Sequence, residues 1–496
     1  YKHVGVTELL LHNHRKLDFV DIYNRWPSFF AAAGVYTRFG GFSNTLDYVK
    51  WAEIYFIALQ STLVAAIALT VDRRVAVAGL SAAFFVLLNW IGQAYFSPQA
   101  YSFVLMLAVV LIAFGQLYDG GNRIGELLKR IGAFLVRKKQ EWPGRPQSTD
   151  WPQGVSVAIL LAIIFVTAMV HQLTPYVLLM QLTLITLAGY LRPRWLFVAA
   201  GALTVSYLVP QFGWINENFG VLGSLDPFAN AGRERVIEIA CNSACQKVNL
   251  MIVLTTLGGA LGGAAAIFFL GRRRPDLPIG LLALSFISPF LTLVVQSYGG
   301  EAILRVVMFS AAFSGILIAL ALSEVGRDWL RRAVMVGALL VLGLGFMYSY
   351  FGKEEDRYLT PEGVESARYI YKHAPFGSVL VPLAPNVPGQ LAYNYWTVFS
   401  PFEGIFVDPP LLKRQYTPGM TQELANWIGT QSEDGFVIFS PQMVEYAEDF
   451  GLMPKGTPEK LRQAMLKSPL WELWHKNGEV EVFKLNAKAW REGAGN

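Results

Sequence analysis

The chain has 496 residues, of which 53% are hydrophobic and only 16% are charged, and its formal net charge is +5 at pH 7. This composition excludes an ordinary soluble domain, in which about a quarter of the residues are charged, and indicates an integral membrane protein. The basic residues lie in separate loops and form no interleaved basic and aromatic surface, so the charge does not indicate a nucleic-acid partner.

The first fifty residues precede the first membrane-length apolar segment and are rich in polar and aromatic side chains. The stretch LDFVDIYNRWPSFFAAAG contains Asp18, Asp21, Arg25 and Trp26. A carboxylate held at a membrane surface among bulky aromatic residues is suited to act as a general base. Asp21 is also spaced to form a plain helical ion pair with Arg25, four residues further on.

Glu8 and His12 form a second polar pattern in this segment, one helical turn apart. Together with Asp18 or Asp21 they would offer ligands to a divalent metal. A solvated interfacial helix explains the same spacing, and no other pattern in the sequence indicates a cofactor.

Ten apolar segments follow, each close to the roughly 20 residues that cross a bilayer core. They are predicted at 52–71, 75–94, 99–118, 154–171, 174–191, 195–212, 248–271, 277–297, 303–323 and 333–350. Lys and Arg are concentrated in alternate loops, which predicts a multi-pass plasma-membrane protein with those loops in the cytoplasm. Residues 1–50 and the chain after Tyr350 are then extracytoplasmic. We expect an eleventh helix upstream of Tyr1 in the full protein.

Polar residues near the spans are concentrated at their predicted outer ends. They are Gln99 in YFSPQAYSF, His171 in HQLTPY, and Tyr298, Glu301 and Arg305 in SYGGEAILR. Ionisable groups near membrane spans must be paired, hydrated or functional. Each feature also has a structural explanation. Glu301 and Arg305 are spaced to pair with each other, His171 would contact interfacial water, and the neighbouring prolines would begin helices. The occurrence of these features on one predicted face favours a functional site.

The two cysteines, Cys241 and Cys245, lie in the predicted outer loop 213–247. An exported loop is in an oxidising compartment, which favours a local disulfide. Two free thiols on one helical turn are the alternative, and a metal site would need more ligands than this pair provides.

After the last span the sequence becomes charged and punctuated by prolines, which predicts a separate α/β domain at 351–488 and a tail at 489–496. Helices are predicted at 361–373, 441–450 and 458–466, strands at SVLVPLA and GFVIFS, and a hairpin with its turn at Asn477-Gly478. Tyr395, Trp396 and Phe399 are candidates either for binding an acceptor glycan or for packing the domain core.

The combination of a polar outer segment (1–50), a helical membrane domain (51–350) and an outer α/β domain resembles the GT-C superfamily of membrane glycosyltransferases. The strings DIYNRWPSFF, YFSPQAYSF, HQLTPY and YGGEAILRVVMFS are similar to those of multi-spanning prokaryotic members. The resemblance implies a polytopic α-helical membrane fold. It also implies transfer of a sugar, with inversion, from a polyprenyl-phosphate donor to a glycan, lipid or protein acceptor of the cell envelope.

The resemblance also implies roles for particular residues. Arg305, His171 and Arg25 are expected to neutralise the donor phosphate. The base that deprotonates the acceptor is expected to be Asp21, Asp18 or an acidic residue upstream of Tyr1. The expected supporting residues are Glu301, Gln99, Tyr298 and Trp26. Some branches of the superfamily use a divalent metal and others do not.

Two alternative functions are consistent with a polytopic protein of this kind. The first is a transporter or flippase of lipid-linked saccharides, which would be expected to show inverted repeats and charges at the membrane midplane. The second is a non-catalytic membrane subunit that binds partners through its outer domain. The sequence identifies no protein partner.

Overall fold

A computed structural model describes residues 2–13, 22–139, 151–219, 226–231, 243–295, 301–352, 358–384, 386–399 and 413–494. Its helices are, in chain order, α1 (Lys2–Asn13), α2 (Ser28–Phe39), α3 (Leu46–Val49), α4 (Ala52–Val71), α5 (Val75–Leu88), α6 (Pro98–Gln116), α7 (Arg123–Val136), α8 (Gln153–Val170), α9 (Thr174–Leu187), α10 (Leu196–Leu208), α11 (Phe212–Phe219), α12 (Pro227–Ala231), α13 (Ser243–Arg273), α14 (Ile279–Ile287), α15 (Thr292–Val295), α16 (Ala302–Ser323), α17 (Asp328–Phe351), α18 (Pro361–His373), α19 (Met420–Gly429), α20 (Pro441–Asp449), α21 (Thr457–Lys467) and α22 (Ala487–Ala494).

The polytopic helical fold predicted from the sequence is confirmed. Among the described residues, seven helices are long and apolar enough to cross a membrane: Ala52–Val71, Pro98–Gln116, Gln153–Val170, Leu196–Glu217, Cys245–Arg273, Ala302–Ser323 and Asp328–Phe351. Shorter apolar helices occupy the other three predicted segments, at Val75–Leu88, Thr174–Leu187 and Ile279–Val294. Each of the ten predicted segments therefore coincides with an apolar helix.

Two helices, α6 and α16, are the most enclosed of the seven. In their most apolar stretches 67% and 72% of the residues are buried, whereas the corresponding share in α17 is 11%. Helices this enclosed are held by contacts on all sides, so the polar groups at their first turns are positioned by the whole bundle. These two helices begin at Pro98 and Ala302, beside the polar residues singled out in the sequence.

Small residues allow the central helices to approach closely. A Cβ atom at Gly259 of α13 would lie 2.8 Å from a methyl group of Leu88, and one at Gly315 of α16 would lie 2.8 Å from the backbone nitrogen of Phe85. The Ser314 hydroxyl donates a hydrogen bond to the Gly259 carbonyl oxygen at 2.6 Å. The glycine-rich stretch LGGALGGAAA, residues 257–266 of α13, is therefore a helix-packing surface.

The basic loops meet at one end of the bundle. The Arg74 guanidinium lies 2.7 Å from the carboxylates of both Asp72 and Glu324, and the Arg274 guanidinium lies 2.7 Å from Glu324. These ion pairs join the α4–α5 loop, the α13–α14 loop and the end of α16. The domain-side end is the opposite end of the bundle, where α17 leads into the C-terminal domain.

The C-terminal domain is built on a mixed five-stranded sheet. Its strands are β1 (Ser378–Pro382), β2 (Val398–Phe399), β3 (Gly435–Phe439), β4 (Trp471–Asn477) and β5 (Val480–Leu485), in the spatial order β2-β1-β3-β5-β4. Strand β1 is parallel to β2 and β3, whereas β5 is antiparallel to β3 and β4. The hairpin turn contains Gly478 at φ 58°, a left-handed conformation that glycine adopts readily.

The last helix extends the domain beyond the predicted boundary at residue 488. In α22, the Trp490 indole nitrogen donates to the Asn426 side-chain oxygen on α19 at 3.0 Å. A Cβ at Gly429 would lie 2.5 Å from the Trp490 ring, so the two helices are in close contact. The described part of the predicted tail is thus an ordered helix packed on the domain.

The N-terminal helix α1 is packed on the C-terminal domain. Val4, Val6 and Leu9 of α1 belong to the same cluster of buried residues as the strands of the sheet. A Cβ at Gly5 would lie 2.1 Å from the Gln390 carbonyl oxygen, so only glycine allows this approach. The first segment and the last domain, far apart in sequence, therefore share one core.

Candidate functional site

The first turn of α6 supplies part of a buried polar cluster at the domain-side end. The Ser97 hydroxyl accepts a hydrogen bond from the Ala100 backbone nitrogen at 3.1 Å, so Ser97 and Pro98 begin the helix as the sequence predicts. The Ser102 and Thr174 hydroxyls are 2.8 Å apart, and Gln99 donates to the Thr174 hydroxyl at 3.4 Å. The Gln99 side-chain oxygen is buried without a hydrogen-bond partner among the described residues.

His171 joins this cluster to the start of α9. Its Nδ1 atom lies 3.3 Å from the Leu173 backbone nitrogen and 3.2 Å from that of Thr174, and it accepts both N–H groups. Burial lowers the pKa of His171 well below its ordinary value, and the charges of Arg305 and His3 lower it further. The ring is therefore neutral, with its proton on Nε2, and it caps the first turn of α9.

Arg305 is a buried cation, and only some of its hydrogen-bond donors have an acceptor among the described residues. Its side chain is 11% exposed, and its Nη2 atom lies 2.5 Å from a carboxylate oxygen of Glu301, whose side chain is half exposed. The predicted pairing of these two residues is thus observed. The Nε and Nη1 atoms of Arg305 are buried and make no hydrogen bond within the part of the chain that the structure describes. A guanidinium in this state is suited to bind an anion, because two of its three nitrogens remain available to donate.

His3 is a site residue that the sequence analysis did not single out. Its Nδ1 atom is 3.0 Å from the Phe96 carbonyl oxygen, and its ring lies 4.8 Å from the Tyr23 ring and 5.7 Å from the Tyr95 ring, centre to centre. Burial lowers the pKa of His3 to about 3. The only signal in the sequence was the presence of three of the six histidines in the first fourteen positions.

Arg25 and Trp26 contact a different surface, formed by the end of α10 and the start of α11. The Arg25 guanidinium donates to the Gln211 side chain at 3.2 Å and lies 4.3 Å from the centre of the Trp214 ring. Tyr207 donates its hydroxyl proton to the Arg25 carbonyl oxygen at 2.8 Å. Arg25 is thus engaged with uncharged partners, and its Nε atom is buried without a hydrogen bond among the described residues.

The Glu8 carboxylate is engaged in a structural role. It accepts hydrogen bonds from the Thr45 backbone nitrogen at 2.8 Å and from the Thr45 hydroxyl at 2.6 Å. The His12 ring stacks on Tyr393 of the C-terminal domain, 4.4 Å away, with its Nδ1 atom 2.9 Å from the Glu8 carbonyl oxygen. No group of three or more His, Cys, Asp and Glu side chains is placed to hold a metal within the described ranges.

The remaining predicted residues fall outside the described ranges. They are the candidate bases Asp18 and Asp21, the supporting residue Tyr298, and Cys241. Cys245 is disulfide-bonded, and Cys241 is the other cysteine of the chain. In the C-terminal domain Tyr395 is buried and accepts a hydrogen bond from Asn24 at 3.4 Å, while Trp396 is 39% exposed.

Solved structures resemble this chain over its whole length. ArnT from Cupriavidus metallidurans bound to undecaprenyl phosphate superimposes with a TM-score of 0.50 at 12% identity, covering 97% of this chain and 92% of that one. This chain has a GT-C fold. The apo state of the same protein gives a TM-score of 0.49 at 11% identity, with 98% and 93% of the two chains covered.

The Archaeoglobus fulgidus oligosaccharyltransferase tethered with an acceptor peptide gives a TM-score of 0.49 at 12% identity, covering 90% of this chain and 66% of that one. No family model matches the chain, and no curated protein matches it. The superposition on the ArnT structure with bound undecaprenyl phosphate confirms the predicted GT-C resemblance at the level of the fold.

Proposed function

We propose that this protein is a membrane glycosyltransferase that transfers a sugar from a polyprenyl-phosphate donor to an acceptor on the side of the membrane that carries the C-terminal domain. The observation that carries the proposal is the buried Arg305 guanidinium, two of whose nitrogens make no hydrogen bond to the described residues. The fold likeness to an ArnT structure with bound undecaprenyl phosphate supports the same class of donor.

The site offers a cationic position at the right depth for a lipid-linked phosphate. Arg305 lies in the first turn of α16, so its side chain is near the membrane surface while the apolar helices below would border the lipid chain. His171 lies within electrostatic range of Arg305 and of His3, and both imidazole rings are neutral at pH 7. A phosphate at this position would thus interact with one full positive charge.

The proposed reaction is a single displacement with inversion at the anomeric carbon. The bond between the anomeric carbon and the phosphate oxygen breaks, and its electron pair leaves with the phosphate, whose negative charge Arg305 stabilises. The acceptor hydroxyl oxygen forms the new bond, and its proton passes to a carboxylate. Asp21 and Asp18 are our candidates for that base, and they lie outside the described residues.

The supporting residues would position these groups. Glu301 holds one edge of the Arg305 guanidinium and so orients the other two nitrogens. The hydrogen bonds between Gln99, Ser102 and Thr174 fix the first turns of α6 and α9, and His171 with them. We propose that Arg25 binds the donor by contacts outside the phosphate, since its guanidinium lies against Trp214.

The test is a transfer assay with purified protein, a panel of polyprenyl-phosphate sugars and mixed envelope acceptors. We expect turnover of one donor, loss of turnover in Arg305→Gln, and partial activity in Arg305→Lys, which keeps the charge without the planar donor geometry. Arg331→Gln is the matched control, because Arg331 also pairs with a carboxylate one turn away, at 2.6 Å, at the other end of the bundle.

Three outcomes would contradict the proposal. The first is the absence of donor consumption across the panel, which would favour a non-catalytic subunit. The second is equal loss of activity in Arg305→Gln and Arg331→Gln. The third is movement of intact donor across vesicles without transfer, which would favour a flippase.

A further inference from the structure

The helix α7, between α6 and α8, has a wide apolar surface that the described residues do not cover. Six of its side chains are between 41% and 82% exposed: Ile124, Leu127, Leu128, Ile131, Phe134 and Leu135. At 3.6 residues per turn these positions fall within an arc of about 120° on one side of the helix. This set of six residues is referred to below as the apolar arc.

The other side of α7 is fixed to the protein, so the apolar arc cannot turn inward. Val136 is buried, and its carbonyl oxygen accepts a hydrogen bond from the Arg272 side chain at 3.1 Å. Lys138 in turn donates to the Arg272 carbonyl oxygen at 2.7 Å. The end of α7 is therefore held on the end of α13, with the apolar arc facing away from the bundle.

The position of α7 along the bundle corresponds to a membrane surface. The helix α13 begins beside Gly352, which packs on Val248, and it ends beside α7. Its 31 residues span about 46 Å at 1.5 Å per residue, close to the thickness of a bilayer with its headgroups. The apolar arc thus lies at the membrane surface opposite the C-terminal domain.

Arg123 and Arg130 line one edge of the apolar arc. They are seven residues apart, both exposed, and both border a cavity of about 560 Å³ at the start of α7, together with Gly121 and Asn122. Glu126 also borders this cavity, but its carboxylate is paired with Lys129 at 3.0 Å, so the cavity keeps an excess of positive charge.

We propose that α7 lies in the plane of this membrane surface and binds an anionic phospholipid, with the apolar arc among the acyl chains and Arg123 and Arg130 on the headgroup phosphate. Helices that lie in a membrane interface have an apolar surface next to a basic one, as α7 does. They bind anionic lipid because the apolar surface contacts the acyl chains and the basic surface contacts the headgroups. This inference is independent of the proposed enzymatic activity.

The first test measures the depth of α7 in nanodiscs of phosphatidylcholine and phosphatidylglycerol. Nitroxide labels are attached to Ile131→Cys in the apolar arc and to Glu126→Cys outside it, at a side chain that is 47% exposed. We expect the label at residue 131 to be accessible to oxygen and protected from a water-soluble nickel complex, and the label at 126 to show the reverse. Equal exposure of both labels to the nickel complex overturns the proposal.

The second test measures the affinity of the delipidated protein for phosphatidylglycerol by native mass spectrometry. Each arginine near an anionic headgroup contributes about fivefold, so Arg123→Gln/Arg130→Gln should bind roughly 30-fold more weakly. The control pair Arg327→Gln/Arg332→Gln removes two exposed charges at the same end of the bundle and should change the affinity by less than about threefold. Equal loss in both pairs, or equal binding of phosphatidylcholine, overturns the proposal.

Discussion

Replacement of Arg305 by methionine separates the proposed role of this residue from a structural one. The substitution removes two buried nitrogens that have no partner in the described part of the chain, and each such nitrogen costs about 1 to 3 kcal/mol of folding free energy. It also removes an ion pair with the half-exposed Glu301, a type of pair that contributes only about 0 to 1 kcal/mol. We therefore expect the unliganded Arg305→Met protein to melt at or above the temperature of the wild type.

The same substitution should abolish the interaction with the donor phosphate. Two charge-assisted hydrogen bonds of roughly 1.5 to 3 kcal/mol each correspond to a loss of about 10²-fold to 10⁴-fold in kcat/KM. Polyprenyl phosphate at about 100 times its Kd should stabilise the wild type by about 2.7 kcal/mol and leave the variant unchanged.

The assays are thermal unfolding in detergent, with and without polyprenyl phosphate, and initial rates of transfer. A lower melting temperature of unliganded Arg305→Met together with unchanged turnover would refute the reasoning, because Arg305 would then be a structural residue. A variant that is stable, inactive and insensitive to polyprenyl phosphate is the expected result.

Three further substitutions test other contacts. In denaturant unfolding, Arg462→Met should destabilise the C-terminal domain by about 1.5 kcal/mol, because the buried Glu481 carboxylate loses one of its two cationic partners and keeps Lys476, at 2.8 Å. The folded protein keeps His171 neutral, whereas the unfolded chain takes up a proton at this residue below pH 6.5. The free energy of unfolding should therefore decrease as the pH is lowered below 6.5, and it should decrease less in His171→Asn. Melting curves recorded from pH 8 to 5 measure this difference. Gly5→Ala should loosen α1 from the C-terminal domain, because its Cβ would meet the Gln390 carbonyl oxygen, and hydrogen exchange of α1 should increase.

Each of these substitutions has a control. Arg414→Met removes the partner of the more exposed Glu423 and should leave the free energy of unfolding nearly unchanged, because exposed ion pairs contribute little. His171→Leu should be about 1 kcal/mol less stable than His171→Asn at every pH, because both variants lack the titrating ring and only asparagine keeps the cap of α9. Gly79→Ala meets no atom within 4 Å and should leave hydrogen exchange unchanged. Equal effects in a test variant and its control would contradict the corresponding prediction.

The apolar segments were predictable because membrane solvation is a local property of the sequence. A run of about 20 apolar residues must form a helix in a bilayer, so the ten predicted segments coincide with helices. Their ends were less predictable: α5 stops at Leu88, six residues before the predicted limit. Turn signals were local as well, since Ser97 and Pro98 begin α6 and Gly478 closes the hairpin as predicted.

The polar site depended on contacts between distant parts of the chain. The sequence indicated Arg305 and His171 as outer polar residues, and the spacing of Glu301 and Arg305 predicted their ion pair. Only the packing of α16 determines that two nitrogens of Arg305 are buried and make no hydrogen bond to any residue that the structure describes.

His3 is a second residue whose contacts the sequence alone did not predict. It lies 168 positions before His171, yet the fold brings the two imidazole rings within electrostatic range, because α1 packs against the Phe96 carbonyl oxygen and the C-terminal domain. Hydropathy and spacing act over a few helical turns, so they determined which segments are helices and where those helices begin. Desolvation and electrostatic interaction act between whatever groups the fold brings together, and for that reason the tertiary structure alone decided which polar groups form the site.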